Sequence, residues 1–217
     1  MPSPRHPPPA TGHSPLATVF VVDDDPAVLK GLSRLLRSAG LAVDAFLSPQ
    51  DFLNRHDPTA PGCLVLDVAM PGFNGLELQK ALAARGSTIP IIFLTGHGDI
   101  PMSVQAMKRG AADFLTKPVN DDDLLSAVRA AIGKDRAARQ ARAEVAEIER
   151  RLATLTPRER EVLEHVISGQ LNKQTAADLG TVEKTIKVHR ARVMEKMKAQ
   201  SLADLVHLAE KAGVRGK

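Results

Sequence analysis

Four short apolar runs in the first 120 residues each stop on a polar side chain. Val19-Phe20-Val21-Val22 stops on Asp23-Asp24-Asp25, Cys63-Leu64-Val65-Leu66 on Asp67, Ile91-Ile92-Phe93-Leu94 on Thr95, and Phe114-Leu115-Thr116 on Lys117-Pro118. Continuous β-prone runs separated by helical patterns read as strands buried in a parallel sheet. The intervening helices are predicted at Pro26–Ser38, Pro49–His56, Leu76–Ala84, Pro101–Arg109 and Asp121–Ile132, and a weaker strand, Ala42–Phe46, takes second place. Local punctuation agrees. Ser48-Pro49 is an N-cap followed by proline at the first helical position. Asn120 precedes three aspartates that suit the positive end of a helix dipole. Gly40, Gly86 and Gly110 fall where glycine ends helices. Asp25 is assigned to the N-cap of the first helix. The pattern describes an α/β doubly wound parallel five-stranded sheet.

Behind this domain the pattern changes. Residues 134–153 are rich in Ala, Arg and Glu with neither Pro nor Gly, and should continue the preceding helix as a linker. Val145, Ile148, Leu152 and Leu155 run along it at 3-4-3 spacing, short enough to be a dimer seam or a stripe packed on the C-terminal domain. From Leu155 onward there is no strand-like run. Thr156-Pro157-Arg158-Glu159 opens a helix with a capping box, and helices follow at about 157–168, 172–179, 183–197 and 201–212. The short break Leu179-Gly180-Thr181-Val182 has helix-turn-helix spacing. The chain therefore divides into a Pro-rich leader (1–16, expected to be disordered), an α/β domain (17–133), a helical linker (134–153) and an all-α four-helix domain (154–217).

Charge sharpens this division. Residues 1–133 carry 11 Lys and Arg against 13 Asp and Glu, whereas residues 134–217 carry 18 against 12. Only the back half is matched to a polyanion. No apolar run approaches the roughly 20 residues that span a bilayer, and the leader lacks the apolar core of a secretory signal. The single Cys63 has no partner for an internal disulfide, so a cytoplasmic setting without membrane attachment is expected.

The carboxyl ends of parallel strands share one edge, where ligands bind, so the four punctuating groups should converge. Asp23, Asp24 and Asp67 would then gather three negative charges, a cluster that calls for a hard divalent cation, and all-oxygen ligation favours Mg²⁺. One carboxylate there can attack phosphorus to give an acyl phosphate. Lys117 would balance charge on the transferring group, and the Thr95 hydroxyl would donate to a phosphoryl oxygen. In the back half, residues 183–198 place Lys184, Lys187, Arg190, Arg192, Lys196 and Lys198 against Val188, Val193, Met194 and Met197 on the opposite face. Charge alone leaves open whether this is a major-groove recognition helix or a solvated face.

The segments Val21-Val22-Asp23-Asp24-Asp25-Pro26, Leu66-Asp67-Val68-Ala69-Met70-Pro71-Gly72 and Thr116-Lys117-Pro118 resemble the signature of a flavodoxin-like response-regulator receiver domain. Thr95-Gly96-His97-Gly98-Asp99-Ile100-Pro101-Met102, with Ala106-Met107-Lys108 and Gly110-Ala111, resembles its FixJ-type branch. The resemblance implies that Asp67 is the phosphoacceptor. Asp24 would be a direct Mg²⁺ ligand, Asp23 would coordinate through water, and the Ala69 carbonyl would be a further ligand. Thr95 and Phe114 match the switch pair, and the Lys117–Pro118 bond is expected to be cis. Leu155–Leu163, Asn172-Lys173-Gln174 and Thr185–Arg190 are similar to the helix-turn-helix output domain of the NarL/FixJ family. That similarity implies DNA contacts from Lys173, Lys184, Thr185, Lys187, Val188, His189, Arg190 and Arg192, and dimerisation through Leu202, Leu205 and Val206. One departure stands out: the family's serine cap before the recognition helix is Val182 here, with Thr181 as its expected substitute.

The expected function is a phosphorylation-activated DNA-binding transcriptional regulator, taking phosphate on Asp67 from a sensor histidine kinase. It would dimerise when phosphorylated and bind duplex DNA with two half-sites. Beyond slow self-phosphorylation and dephosphorylation it would not be an enzyme. Two alternatives are an aspartyl-nucleophile phosphohydrolase and a receiver with an RNA- or protein-binding output. The dehalogenase-like phosphohydrolase wants Asp-x-Asp-x-Thr after the first strand, and Asp23-Asp24-Asp25-Pro26-Ala27 lacks the threonine.

Overall fold

A computed structural model describes residues 17–96 and 100–216, with the side chains of residues 100–103 left aside. The leader and His97-Gly98-Asp99 lie outside the described residues. The chain divides into two compact units, Met1–Ala138 and Arg139–Lys217.

In the first unit, strands β1 (Thr18–Val22), β2 (Ala42–Phe46), β3 (Gly62–Asp67), β4 (Ile91–Thr95) and β5 (Asp113–Thr116) alternate with helices α1 (Pro26–Ser38), α2 (Pro49–Arg55), α3 (Gly75–Ala84), α4 (Ile100–Lys108) and α5 (Asp121–Ala153). The sheet is parallel, in the order β2-β1-β3-β4-β5. The period-two alternation of strand side chains splits each apolar run between two cores. Phe20, Val22, Leu64, Leu66 and Phe93 face α2, α3 and α4, whose Phe52, Leu78, Leu82 and Ala106 close that layer. Val19, Val21, Cys63, Val65, Ile92 and Leu94 face α1 and α5 through Leu29, Leu32, Leu36, Leu124 and Val128. Strand β2 reads weakly because it is an edge strand with alternate residues exposed. Burial pushes the Cys63 thiol up to about 12, with the charge of Asp135 adding to it. Asp25 caps α1 by accepting from the Ala27 and Val28 amides, and Ser48 caps α2 by accepting from Asp51. The Lys117–Pro118 bond is cis.

The second unit consists of α6 (Pro157–Ile167), α7 (Asn172–Asp178), α8 (Glu183–Met197) and α9 (Leu202–Lys211), with the last turns of α5. Ile148, Leu152 and Leu155 are buried with Val162, Leu163, Ile186, Val193 and Met197 in this unit's core. Three of the four stripe residues are therefore packed on their own domain, while Val145 is half-buried outside this core. Helix α8 opens at Val182 with no side-chain cap, so Thr181 does not substitute for the missing serine.

Candidate phosphorylation site and nucleic-acid interface

The strand order reverses direction between β1 and β3, and in open α/β sheets ligands bind at that crevice. Asp23 and Asp24 leave β1 there and Asp67 ends β3. Carboxylate oxygens of Asp23, Asp24 and Asp67 all lie within 4.8 Å of one another. Lys117, 94 residues from Asp23, places its Nζ 2.6 Å from Asp23 Oδ2 and 3.3 Å from Asp67 Oδ2. Asp23 and Asp67 are buried while Asp24 is exposed. Two backbone amides complete the arrangement: Asp25 N donates to Asp23 Oδ1 at 2.9 Å, and Ala69 N donates to Asp67 Oδ1 at 3.4 Å. Thr95 is buried at the end of β4, and the Lys117 amide donates to its carbonyl at 2.6 Å. Phe114, paired with Phe93 across β4 and β5, stands 6.3 Å from it ring to ring.

The electrostatics are those of a pocket short of positive charge. Burial raises the Asp23 carboxyl above the usual carboxylate range, an effect the Lys117 hydrogen bond and the Asp25 amide only partly offset. Burial on its own would lower Lys117, but the hydrogen bond to Asp23 and the charges of Asp23 and Asp67 outweigh it and hold the ammonium above the ordinary lysine value. Three carboxylates against one ammonium is a donor set that fits a hard divalent cation.

Gly75 was not singled out by sequence pattern. It opens α3, its amide donates to Val68 O at 3.2 Å, and a Cβ built on it would lie 2.3 Å from the carbonyl oxygen of Asp67. Only glycine allows α3 to start this close to the loop carrying Asp67. Gly75→Ala is expected to cost on the order of 2 kcal/mol from overpacking. Displacing the Asp67 carboxylate should also slow its phosphorylation about 10- to 100-fold. A thermal melt and the labelling rate at saturating Mg²⁺ check the two effects separately.

In the second unit, Lys173, Lys184, Lys187, Val188 and Arg192 are exposed, and Thr185, His189 and Arg190 are half-buried. Val188 is not on the apolar face assigned to it, being 46% exposed. The buried stripe of α8 is Ile186, Val193 and Met197, so Val188 stands among the lysines on the outer surface. Lys187 pairs with Glu183 at 3.0 Å, and Arg190 Nη1 donates to Asn172 Oδ1 at 3.3 Å. Lys196 turns inward, donating to Glu159 Oε2 at 2.6 Å and to Thr154 O at 3.0 Å. On α9, Leu205 is fully buried in the unit's own core. Of the three residues expected to dimerise, only Leu202, exposed, and Val206, half-buried, remain available.

A flavodoxin-like receiver carrying a helix-turn-helix unit is the architecture of a two-component response regulator with a DNA-binding output, and the family profiles agree. The family described as "Response regulator receiver domain" matches residues 19–129, and "Bacterial regulatory proteins, luxR family" matches residues 153–209. The chain is 50% identical over 206 residues to Nodulation protein W of Bradyrhizobium diazoefficiens, covering 94% of this chain and 91% of that one. It is 52% identical over 198 residues to the Transcriptional regulatory protein FixJ of Azorhizobium caulinodans, covering 90% and 93%. Among solved structures, the response regulator StyR superposes with a TM-score of 0.84 at 49% identity, covering 90% of this chain and 99% of that one. Full-length FixJ from B. japonicum gives a TM-score of 0.57 at 44% identity, covering 92% and 98%. The chain belongs to the NarL/FixJ family of response regulators, in its FixJ-like branch. Of these relatives, FixJ is named a transcriptional regulatory protein. No helix among the described residues is long and apolar enough to cross a membrane.

Proposed function

We propose that a sensor histidine kinase phosphorylates Asp67 and that the phosphorylated chain binds duplex DNA as a dimer to regulate transcription. The observation that carries this reading is the buried Asp67 carboxylate with Lys117 Nζ at 3.3 Å and two further carboxylates close by. Asp23, Asp24, Asp67 and the Ala69 carbonyl would hold Mg²⁺. When bound, that ion offsets the charge of the carboxylates and of the transferring group. An Asp67 carboxylate oxygen attacks phosphorus in line as the bond to the donor's imidazole nitrogen breaks. The electron pair leaves with the imidazole, and an acyl phosphate remains. Lys117 stabilises the charge on the transferred group, and the Thr95 hydroxyl donates to one of its oxygens. The added charge biases the receiver between two packings through Thr95 and Phe114. Self-phosphorylation from small donors and slow self-dephosphorylation are the receiver's only turnover.

In the output unit Lys173, Lys184, Lys187 and Arg192 supply phosphate contacts. Thr185, Val188, His189 and Arg190 reach base edges, with the Val188 methyls suited to a thymine methyl. Leu202 and Val206 bury against a second copy, which sets two half-sites on the operator. The test is Mg²⁺-dependent labelling with phosphoramidate, read as a mass increase on the intact chain. Asp67→Asn should abolish the increase, and labelling that persists in this variant refutes the site. A gel shift on duplex DNA across salt, with and without phosphoramidate, tests the output. Binding without preference between sequences counts against a transcription factor.

A further inference from the structure

Gln79 lies on α3 with a side chain buried between two helices, a position where a polar group is expensive unless every atom is paired. It is 5% exposed. Its Nε2 donates to Ala106 O at 3.2 Å and to Arg109 O at 3.5 Å, carbonyls at the C-terminal end of α4. Its Oε1 has no hydrogen-bond partner among the described residues. Leaving an amide oxygen unpaired costs stability, and the neighbouring α3 positions Leu78 and Leu82 are filled by apolar side chains. An amide here reaches two α4 carbonyls that an apolar side chain at the same position would leave without this donor.

The place of Gln79 on its helix indicates what this contact connects. Residues four apart share a helix face, and four residues before Gln79 stands Gly75, whose backbone rests against Val68 and the carbonyl of Asp67. A reciprocal cap between Asn74 and Glu77 fixes the same turn. One end of this short helical segment thus touches the phosphoacceptor's backbone, and one turn further its side chain grips the last turn of α4. Ala106 O already accepts from the Arg109 and Ala111 amides at 3.2 and 3.1 Å, so the Gln79 amide adds a donor from another helix to the turn that closes α4.

We propose that Gln79 is a positioning residue that ties α4 to the phosphoacceptor loop through α3, so that α4 senses the state of Asp67 by a route separate from Thr95 and Phe114. This rests on Asp67 being the phosphoacceptor. Gln79 touches neither the carboxylates nor Lys117, so the chemistry of phosphorylation does not depend on it.

The experiment uses the full chain with Gln79→Leu and Gln79→Met, apolar replacements of similar size that remove both donor hydrogens. Wild type and variants are compared for phosphoramidate labelling, melting temperature, and hydrogen exchange at the Arg109, Gly110 and Ala111 amides with and without phosphoramidate. Both variants should label within twofold of wild type, because Gln79 touches neither the carboxylates nor Lys117. The phosphorylation-dependent change in exchange at the three amides should fall at least threefold. A purely structural Gln79 would instead give variants that melt lower while the exchange change persists, and that outcome overturns the proposal. A wild type that fails to label overturns the assignment of Asp67 itself, which separates the two failures.

Discussion

Lys117→Met is expected to slow phosphorylation of Asp67 by about 100-fold or more while tightening the binding of Mg²⁺. The two effects have opposite signs because Lys117 plays two electrostatic parts. Its ammonium lies 3.3 Å from Asp67 Oδ2, where a phosphoryl oxygen would come to rest, and removing one preorganised charge from such a site costs roughly 10²- to 10³-fold in rate. In the resting pocket the same ammonium offsets part of the charge that attracts the cation. Without it three carboxylates face one another with only backbone amides between them, and a divalent ion gains what the lysine loses. The fold should respond as well. Asp23, already raised by burial, loses the side-chain partner that offsets it. A buried charge stripped of its partner costs about 3–5 kcal/mol, reduced here because the Lys117 side chain is 24% exposed. Added Mg²⁺ should restore much of that loss by mass action, so the variant's melting temperature should climb more steeply with Mg²⁺ than that of wild type. Intact-mass labelling with phosphoramidate, isothermal titration with Mg²⁺ and melts across Mg²⁺ concentration read the three effects. A variant that labels at the wild-type rate removes Lys117 from the mechanism.

Convergence of Asp23, Asp67, Thr95 and Lys117 was legible in the sequence because a parallel sheet leaves no freedom: every strand's carboxyl end must arrive at the same edge. Caps were legible for a different reason. Asp25, Ser48 and Thr156 satisfy amides two or three residues away, and chemistry that local is written in the chain. What stayed hidden depends on which face of a helix meets which neighbour. Val188 and Val193 are both valines on α8, yet one is exposed and the other buried, because the core stripe is set by Ile186 and Met197. Leu202 and Leu205 divide the same way on α9. Gln79 carries no signal of its own, since its partners lie 27 and 30 residues away on another helix. Gly75 reads as an ordinary turn glycine until the carbonyl of Asp67 is seen against it.

Glu159, outside the set of residues proposed to contact DNA, is expected to govern DNA binding through the packing of the output unit. Its side chain is 3% exposed, and its Oε2 accepts from the Thr156 amide at 2.8 Å and from Lys196 Nζ at 2.6 Å. One carboxylate therefore closes the capping box of α6 and anchors the last turn of α8, a turn also held by Arg151 donating to Met197 O at 3.1 Å. The Lys196 hydrogen bond, followed by that of the Thr156 amide, holds the Glu159 carboxyl below the usual glutamate range. A carboxylate with a depressed folded pKa stabilises the fold above its unfolded value, about 4.3, and that stability disappears as pH falls through the folded value. Glu159→Ala should destabilise the output unit at pH 7 by roughly 2–3 kcal/mol, since hydrogen bonds to a charged group contribute about 1.5–3 kcal/mol and a cap about 1 kcal/mol. Glu159→Gln keeps an acceptor for Thr156 and should lose about half as much. Both deficits should shrink as pH drops below about 4, where wild type loses the same interaction. Lys196→Met should show the same pH dependence for a different reason. It leaves Glu159 buried without its cation, so the deficit is largest at neutral pH and is relieved by acid as the carboxyl protonates. The chain has neither Trp nor Tyr, so unfolding of this unit is best followed by hydrogen exchange at the Val193 and Met197 amides. In each variant DNA affinity should fall with that protection although no DNA-facing side chain has changed. Unaltered protection in Glu159→Ala would mean that the apolar core alone sets the angle of α8.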